Sequence, residues 1–241
     1  MIVAHTYSVI FMNKLITHKK APTILLIQDL EVTASELIYH CNANYAQALF
    51  QAGALPLLAP FIEDLIPNLI DQSDGILFSG SAPGSGSSSI RTDFEKKLLA
   101  AAFDRGIPVL GICHGMQIIG ELLGAKVEDI QGAEAQSLHL PFSQPNRTAH
   151  EVQLGHDSWL RAQHSSETAW VNSFHRQSLV GSGNFHVTAL SPDGIVEAIE
   201  GRLNSLCIGV QWHPEFQLSE FDKNLLRGFV QAAAQSSLTY T

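Results

Sequence analysis

The first half of the chain alternates between short apolar runs and segments in which apolar residues recur at helical spacing. The runs at residues 23–28, 55–59 and 75–79 are continuous enough to predict buried strands. Helices are predicted after the first and third runs, on Ile38, Cys41, Tyr45, Ala48, Leu49 and Ala52, and on Phe94, Leu98 and Ala101. Gly53 and Gly106 end these two helices. Such alternation predicts a parallel sheet covered by helices.

The pattern changes after Gly124. Residues 126–147 are irregular, and strand-like runs then follow one another with turn residues between them, at 151–154, 169–174, 185–190, 195–199 and 206–211. A capping box at Ser219 and Asp222 begins a closing amphipathic helix, whose apolar residues are Phe221, Leu225, Leu226 and Phe229. The predicted fold is therefore an α/β three-layer sandwich. Its central sheet is mostly parallel, has helices on both faces, and is extended by antiparallel strands in the C-terminal half.

The length and composition of the chain fit this fold. Its 241 residues are 45% hydrophobic and 15% charged, which suits one α/β domain or two small ones. Because no convincing linker or repeat divides the sequence, we predict one domain over residues 21–241. Residues 1–20 are predicted to be a poorly ordered extension, neither a signal peptide nor a membrane span, because their apolar cluster is short and lacks basic flanks and a cleavage site. Met12 is an alternative natural start.

The charge and the cysteines narrow the range of partners and compartments. A formal net charge of -9 argues against binding to nucleic acid or to anionic membrane surfaces. The cysteines at positions 41, 113 and 207 are widely separated, and none forms the Cys-x-x-Cys pair that would suggest zinc or redox chemistry. We therefore expect reduced thiols in a cytoplasmic protein.

The sharpest local signal is the sequence Gly111-Ile112-Cys113-His114-Gly115. A strand-like apolar run ends there, and apolar residues at helical spacing follow until Gly124. This pattern predicts a strand, a tight turn and a helix with the cysteine at the turn, the thiol counterpart of a nucleophile elbow. A helix N-terminus at that position favours a thiolate and can stabilise an oxyanion. The alternative is a buried core cysteine in an ordinary turn.

A glycine- and serine-rich segment, residues 80–89, follows the third predicted strand and precedes the elbow by one α/β unit. In a parallel sheet this order places the segment beside Cys113, at the carboxyl ends of the strands. Its backbone N–H groups can then face an anionic intermediate. The alternative is a flexible surface linker.

A cysteine nucleophile needs a base and a group that orients the base. The best candidate is His213, which follows an apolar run and precedes Pro214 and Glu215. In an extended segment, side chains two residues apart point to the same side, so Glu215 can accept a hydrogen bond from the imidazole. Cys113, His213 and Glu215 would then form a triad. The alternative for the His-Pro-Glu sequence is a surface turn.

Residues 111–117 and 209–215 together resemble the class I glutamine amidotransferase superfamily. Residues 44–49, 171–177 and 191–198 resemble its peptidase C26 branch, whose members include γ-glutamyl-γ-aminobutyrate hydrolases of putrescine breakdown. The likeness covers roughly residues 23–234 and implies the flavodoxin-like fold of the superfamily. Two positions depart from the branch. Residues 79–82 replace the usual Gly-Gly and acidic residue, and His114 stands where an arginine often follows the nucleophile.

The resemblance implies roles for individual residues. Cys113 would be the nucleophile, His213 the general acid and base, and Glu215 its orienting partner. The oxyanion would be held by the N–H of His114 and by backbone around Gly80 and Ser81. The substrate pocket would be lined by Gln117, His175, Arg176 and Gln177. For Arg176, a carboxylate clamp and a solvated surface arginine are equally supported alternatives.

The reaction implied is hydrolysis of a small-molecule γ-glutamyl amide through a γ-glutamyl thioester on Cys113, with no metal or organic cofactor. One alternative is a glutaminase subunit that delivers ammonia to a partner synthetase. The other is a non-catalytic binding or regulatory protein on the same fold. The amine half of the substrate and the oligomeric state stay open, and a homodimer is compatible with these residues.

Overall fold

The computed structural model describes residues 21–81 and 88–236. The strands are β1 (Thr23–Ile27), β2 (Asp29–Val32), β3 (Leu37–His40), β4 (Leu55–Leu58), β5 (Gly75–Phe78), β6 (Val109–Ile112), β7 (Lys126–Asp129), β8 (His150–Leu154), β9 (Thr168–Val171), β10 (Gln177–Val180), β11 (Phe185–Leu190), β12 (Val196–Gly201) and β13 (Cys207–Val210). The helices are α1 (Ala43–Gln51), α2 (Ile66–Asp71), α3 (Ser89–Asp104), α4 (His114–Leu122), α5 (Ala133–His139), α6 (Trp159–Ala162) and α7 (Glu220–Ser236).

Nine strands form one sheet in the order β4-β1-β5-β6-β13-β12-β11-β8-β9. The pairs from β4 through β13 are parallel, and those from β13 to β9 are antiparallel. The predicted parallel sheet with an antiparallel C-terminal extension is therefore confirmed. Two small antiparallel ribbons, β2 with β3 and β7 with β10, stand apart from the main sheet.

The central strands are buried on both faces, as their continuous apolar runs predict. Along β1, Ile24 and Leu26 face one core cluster and Leu25 and Ile27 face the other. The first cluster is covered by α1, α6 and α7, and the second by α2, α3 and α4. These are the three layers of the predicted sandwich.

One predicted helix begins later than its apolar spacing suggests. The positions from Ile38 to Ala52 fit a single helical stripe, but Ile38 lies in β3, an exposed strand, and α1 begins only at Ala43. Asn42 caps the helix, because its side chain accepts a hydrogen bond from the Asn44 amide at 3.1 Å. Cys41 therefore precedes the helix and is half-buried. The prediction that it packs inside this helix is wrong.

Residues 126–147, predicted to be irregular, contain β7 and α5. The strand escaped prediction because only one of its four residues, Val127, is apolar. Its partner β10 lies within residues 175–184, where no strand was predicted, and the two pair from Gln177 with Asp129 to Val180 with Lys126. Tertiary pairing overrides weak local propensity at both places.

The predicted capping box at the start of α7 is present. The Asp222 amide donates to the Ser219 hydroxyl at 3.1 Å, and the Ser219 amide donates to the Asp222 carboxylate at 3.1 Å. Asp222 is 3% exposed and also accepts a hydrogen bond from the Trp212 indole at 3.2 Å. Burial raises the pKa of Asp222 to about 6. This capping box thus joins α7 to the end of β13.

Within residues 21–81 and 88–236, no helix is both long and apolar enough to cross a membrane. The predicted extension at residues 1–20 and most of the glycine- and serine-rich segment after Ser81 lie outside the described residues.

Candidate active site

Cys113 occupies a strained turn between β6 and α4. Its φ is 53° and its ψ is -106°, a backbone conformation that a residue with a Cβ rarely adopts. The two glycines that flank the turn, Gly111 and Gly115, let the strand and the helix pass closely. A Cβ on Gly111 would lie 2.5 Å from the carbonyl oxygen of Gly115, and one on Gly115 would lie 2.2 Å from that of Phe78. The strand, tight turn and helix predicted from the sequence are confirmed.

Gly115→Ala is expected to lower the free energy of unfolding by about 1–3 kcal/mol, because the new methyl group clashes with backbone rather than with a flexible side chain. Chemical denaturation measures the change. Gly155→Ala is the matched control: its nearest neighbour, the Thr188 Cα, would lie at an ordinary 3.4 Å. Equal stability of the two variants would contradict the close packing of the turn.

The His213 imidazole and the Glu215 carboxylate form a buried pair. Nδ1 of His213 lies 2.8 Å from Oε1 of Glu215, and the two residues are 5% and 3% exposed. The predicted contact is present, but the predicted extended backbone is wrong. Pro214–Phe216 form a short 3-10 turn, which ends at Gln217 in the left-handed conformation. The turn follows from Pro214, whose fixed φ suits the first position of a helical turn.

Three chain segments converge at Gly80. A Cβ built on this glycine would lie 3.1 Å from Cε1 of His213, 3.4 Å from Cβ of Cys113 and 3.0 Å from the Tyr45 hydroxyl. The neighbouring parallel strands β6 and β13 make this convergence possible, because Val210 pairs with Ile112 and both strands end at the same edge. A cavity of about 330 Å³ opens there, and its lining includes Tyr45, Gly80, Ser81, His213 and Glu215.

The charge state of His213 is set by its neighbours. Burial alone would lower its pKa, but the Glu215 carboxylate and the Cys113 side chain outweigh burial and raise the pKa to about 10. Nε2, the ring nitrogen away from Glu215, is buried and has no hydrogen bond of good geometry to any residue that the structure describes. The Glu215 carboxylate and the Cys113 side chain thus favour the imidazolium form, and the nitrogen away from Glu215 is left for a reacting group.

Glu215→Gln is expected to lower the pKa of His213. The variant loses the negative charge that most strongly raises this pKa against the lowering effect of burial. In the wild-type protein the raised pKa stabilises the fold fully below the ordinary histidine value of about 6.5, and this stabilisation is lost as the pH rises through the folded value. Titration of imidazole resonances by NMR measures the change, with exposed His156 as the internal reference. An unshifted His213 titration in the variant would contradict this account.

A buried ion network stands behind the cysteine turn. Nε2 of His114 lies 2.8 Å from Glu95, and Glu95 pairs with Nε of Arg91 at 2.7 Å. Arg91 also pairs with Asp29 at 2.6 Å and donates to the carbonyl oxygen of Ser79 at 2.9 Å. The network fixes the turn that holds Cys113 relative to the end of β5. The sequence signal for it, an Arg and a Glu four residues apart in a helix, was missed.

Tyr45 is a second site residue that sequence reasoning placed only in a helix. Its hydroxyl accepts a hydrogen bond from the Gly80 amide at 3.0 Å. Burial and the negative charge of Glu215 raise its pKa well above the ordinary value, so the phenol stays protonated. In this state the Gly80 N–H, a predicted oxyanion donor, is directed at Tyr45.

The four predicted substrate residues lie in different surroundings. Gln117 is 7% exposed, and its amide nitrogen lies 3.3 Å from the side-chain oxygen of Gln211. His175 is 3% exposed and faces the His139 ring. Arg176 and Gln177 are exposed, and Gln177 donates to Asp129 at 2.9 Å. None of the four lines the cavity beside His213.

Asn172 holds His213 from the far side of the site. Its side-chain oxygen accepts from the His213 amide at 2.8 Å, and its side-chain nitrogen donates to the His213 carbonyl at 3.0 Å. The same nitrogen donates to the Pro145 carbonyl at 2.7 Å. This two-way bond fixes the backbone that presents the imidazole. Asn172 falls within a stretch singled out in the sequence, but nothing local indicated its partner.

Comparison with known proteins gives consistent matches. The sequence model of the peptidase C26 family matches residues 27–215. The γ-glutamyl-γ-aminobutyrate hydrolase PuuD of Escherichia coli K12 is 32% identical over 214 residues, which cover 78% of this chain and 84% of that protein. A glutamine amidotransferase-like protein of Rickettsia prowazekii is 28% identical, over 81% of this chain and 89% of its own length.

The fold also matches a solved structure. The crystal structure of a candidate GMP synthase subunit from Thermoplasma acidophilum superposes with a TM-score of 0.68, over 91% of this chain and 98% of that one. The two sequences are 18% identical, so the match concerns the fold alone. It agrees with the amidotransferase-type sandwich expected from the sequence.

Proposed function

The chain belongs to the peptidase C26 family of glutamine amidotransferase-like hydrolases, and from this premise we propose that it hydrolyses γ-glutamyl amides, with γ-glutamyl-γ-aminobutyrate as the substrate. The amide-hydrolase class rests on the family. The specific substrate is suggested by the name of the Escherichia coli relative, at 32% identity.

The observation that carries the proposed mechanism is the convergence at Gly80, where Cys113 and the His213–Glu215 pair meet beside a cavity. A thiol at a strained turn, a buried imidazole beyond it and a carboxylate on the far ring nitrogen are the parts of a cysteine-type acyl-transfer site. A side chain at Gly80 would crowd the His213 ring and the Tyr45 hydroxyl, which lie 3.1 and 3.0 Å from its Cβ position.

The proposed reaction has two steps. The Cys113 sulfur, whose thiol proton has passed to His213, attacks the γ-carbonyl carbon, and His213 gives that proton to the departing amine as the C–N bond breaks. A γ-glutamyl thioester remains. Water then attacks the thioester carbon and gives its proton to His213, and the C–S bond breaks to release glutamate. The N–H of His114, at the start of α4, and that of Ser81 are the proposed oxyanion donors, joined by that of Gly80 if it leaves Tyr45.

The test is a substrate panel on the purified protein without a partner. γ-Glutamyl-γ-aminobutyrate, γ-glutamyl polyamines, γ-glutamyl amino acids, folate polyglutamate and glutamine are compared by released glutamate. We expect kcat/KM for γ-glutamyl-γ-aminobutyrate to exceed that for glutamine by roughly 100-fold or more, since a pocket built for the larger amine gains binding energy from it. Equal or better hydrolysis of glutamine would reject the proposed substrate.

A glutaminase that feeds ammonia to a synthetase is the second candidate. The amidotransferase-like relative of Rickettsia prowazekii favours it. The same panel separates the two, because a glutaminase prefers glutamine and is usually activated by its partner. Failure to cleave any γ-glutamyl compound, together with no labelling of Cys113 by a γ-glutamyl electrophile, would instead indicate a non-catalytic protein.

A further inference from the structure

A cluster of three histidines and a glutamate is buried outside the proposed reaction centre. His139 ends α5, His150 begins β8, His175 precedes β10, and Glu197 lies in β12. The four residues are at most 3% exposed. A carboxylate is buried this deeply only when positive charge or hydrogen-bond donors lie close to it, so the arrangement of the histidines around Glu197 is informative.

The nitrogens surround one carboxylate oxygen. Oε1 of Glu197 lies 3.1 Å from Nδ1 of His139, 3.3 Å from Nε2 of His150 and 3.5 Å from Nε2 of His175. Nδ1 of His139 and Nε2 of His175 are 3.1 Å apart. One ligand atom each from His139, His150 and Glu197 lies within 4.8 Å of the others.

The outer ring nitrogen of each histidine faces an acceptor, which fixes the tautomer. Nδ1 of His150 lies 3.2 Å from the Glu151 carbonyl oxygen, and Nδ1 of His175 lies 3.0 Å from the Gln177 carbonyl oxygen. Nε2 of His139 lies 3.2 Å from both carboxylate oxygens of Asp193. These contacts favour a proton on each outer nitrogen, and a ring that carries only this proton directs a lone pair inward. Metal-bound histidines are oriented in this way by carbonyl and carboxylate acceptors.

Three inward lone pairs and a carboxylate repel one another unless positive charge lies among them. Both oxygens of Glu197 and Nε2 of His150 are fully buried, yet they have no hydrogen-bond partner among the described residues. Nε2 of His150 is thus 3.3 Å from the carboxylate without a hydrogen bond to it. The inner nitrogens of His139 and His175 are within hydrogen-bonding distance of each other, at 3.1 Å. Together with Nε2 of His150 and Oε1 of Glu197 they lie around one point that a cation can occupy.

We propose that His139, His150 and Glu197 bind a divalent transition-metal ion of the Zn²⁺ type, with His175 beside the fourth position. A tetrahedral ion with ligands at about 2.0–2.2 Å keeps any two ligand atoms roughly 3.3–3.6 Å apart, which is close to the separations within the cluster. Imidazole nitrogens with one carboxylate are a suitable set for such an ion. The Asp193 side chain, which lies 3.2 Å from Nε2 of His139, is 28% exposed, so the cluster is close to solvent on this side.

The ion would be structural rather than part of the chemistry. Ser173 and His175 both donate to the backbone carbonyl of His139, at 2.8 and 3.0 Å, and this segment continues from Asn172, which holds His213. On the other side, the Gln211 amide donates to the Glu197 carbonyl at 2.7 Å. The ion would therefore brace both chain segments that position His213. The site is independent of the proposed function, and its test uses no activity measurement.

The test uses the full chain in a Cys113→Ala background, which removes the thiol beside His213 that could capture metal. The protein is treated with a chelator, loaded with Zn²⁺ or Co²⁺, and freed of excess ion by gel filtration. We expect about one ion per chain by elemental analysis, a tetrahedral absorption spectrum for Co²⁺, and a melting temperature raised by roughly 5 °C or more.

His150→Gln and Glu197→Gln, each made in the same background, are expected to lower the bound metal to less than about a tenth of an ion per chain. His156→Gln is the matched control, because that histidine is on the surface with an 87% exposed side chain, and it should bind metal as the parent does. If a cluster variant fails to fold, the measurements on the parent still decide. A parent that retains neither ion and shows no rise in melting temperature would overturn the proposal and indicate that protons, not a metal ion, balance the charge of the cluster. Undiminished metal binding in folded His150→Gln protein would also overturn it.

Discussion

Cys113→Ala is expected to abolish γ-glutamyl hydrolysis, with a fall in kcat of roughly 10⁴-fold or more, while the fold stays intact. The covalent step requires a thiol that interacts with His213, and Cys113 is the thiol that does so. The replacement is small and the backbone of the turn is set by Gly111 and Gly115, so the melting temperature should change little. Release of glutamate from γ-glutamyl-γ-aminobutyrate measures the loss, and far-UV circular dichroism measures the fold.

The other two cysteines provide matched controls. Burial raises the pKa of Cys207 to about 12, and burial also raises the pKa of Cys41, so both are weakly reactive thiols at neutral pH. Cys207→Ala should therefore retain activity, because this residue does not line the cavity beside His213. A γ-glutamyl electrophile should label wild-type protein at Cys113 alone. Wild-type hydrolysis by Cys113→Ala, or labelling that survives in this variant, would show that the nucleophile lies elsewhere.

His213→Ala is expected to reduce kcat nearly as much as loss of the cysteine, because the same imidazole protonates the leaving amine and deprotonates water. Glu215→Gln keeps the imidazole and loses only its charge partner, so its loss of kcat should be smaller by roughly 10–100-fold. Steady-state kinetics on the three proteins, with melting temperatures recorded for each, give the comparison.

His156→Ala is the control for a histidine deletion, since its side chain is 87% exposed and pairs with its neighbour Asp157. It should have wild-type kinetics. A Glu215→Gln variant as impaired as His213→Ala would indicate that the carboxylate has a direct part in the reaction. Full activity in His213→Ala would end the proposed acid–base role.

The parts of the fold that could be predicted are those whose burial is complete. β1 and β6 are apolar on both faces, so their sequences already contain the whole environment of a central strand. The cysteine turn could be predicted because a tight turn between a strand and a helix has no space for a Cβ at its flanking positions, so these positions are glycines. The hairpin of β2 and β3 could not, since it exposes Leu37 and Tyr39 and its apolar spacing continues that of the following helix.

The residues that hold Cys113 and His213 in place could not be predicted from the sequence, for a different reason. His114, Glu95 and Arg91 form one network only because α3 packs beside α4, and Asn172 meets His213 across two loops. The histidines around Glu197 come from separate elements, with no spacing typical of a metal site. Individual residue types were visible in each case, but their partners were set by tertiary packing.

The place of β13 has a consequence for how the protein is made. Among the nine strands of the sheet this one leaves the ribosome last, yet it lies in the middle, between β6 and β12. In a nascent chain that ends before residue 207, β6 is an apolar edge strand: it pairs with β5 on one side, and its other side is open to wrong pairing with other strands. Insertion of β13 pairs this open side of β6 and brings His213 to Cys113 at the same moment. We therefore expect a late, slow folding step that chaperones would assist.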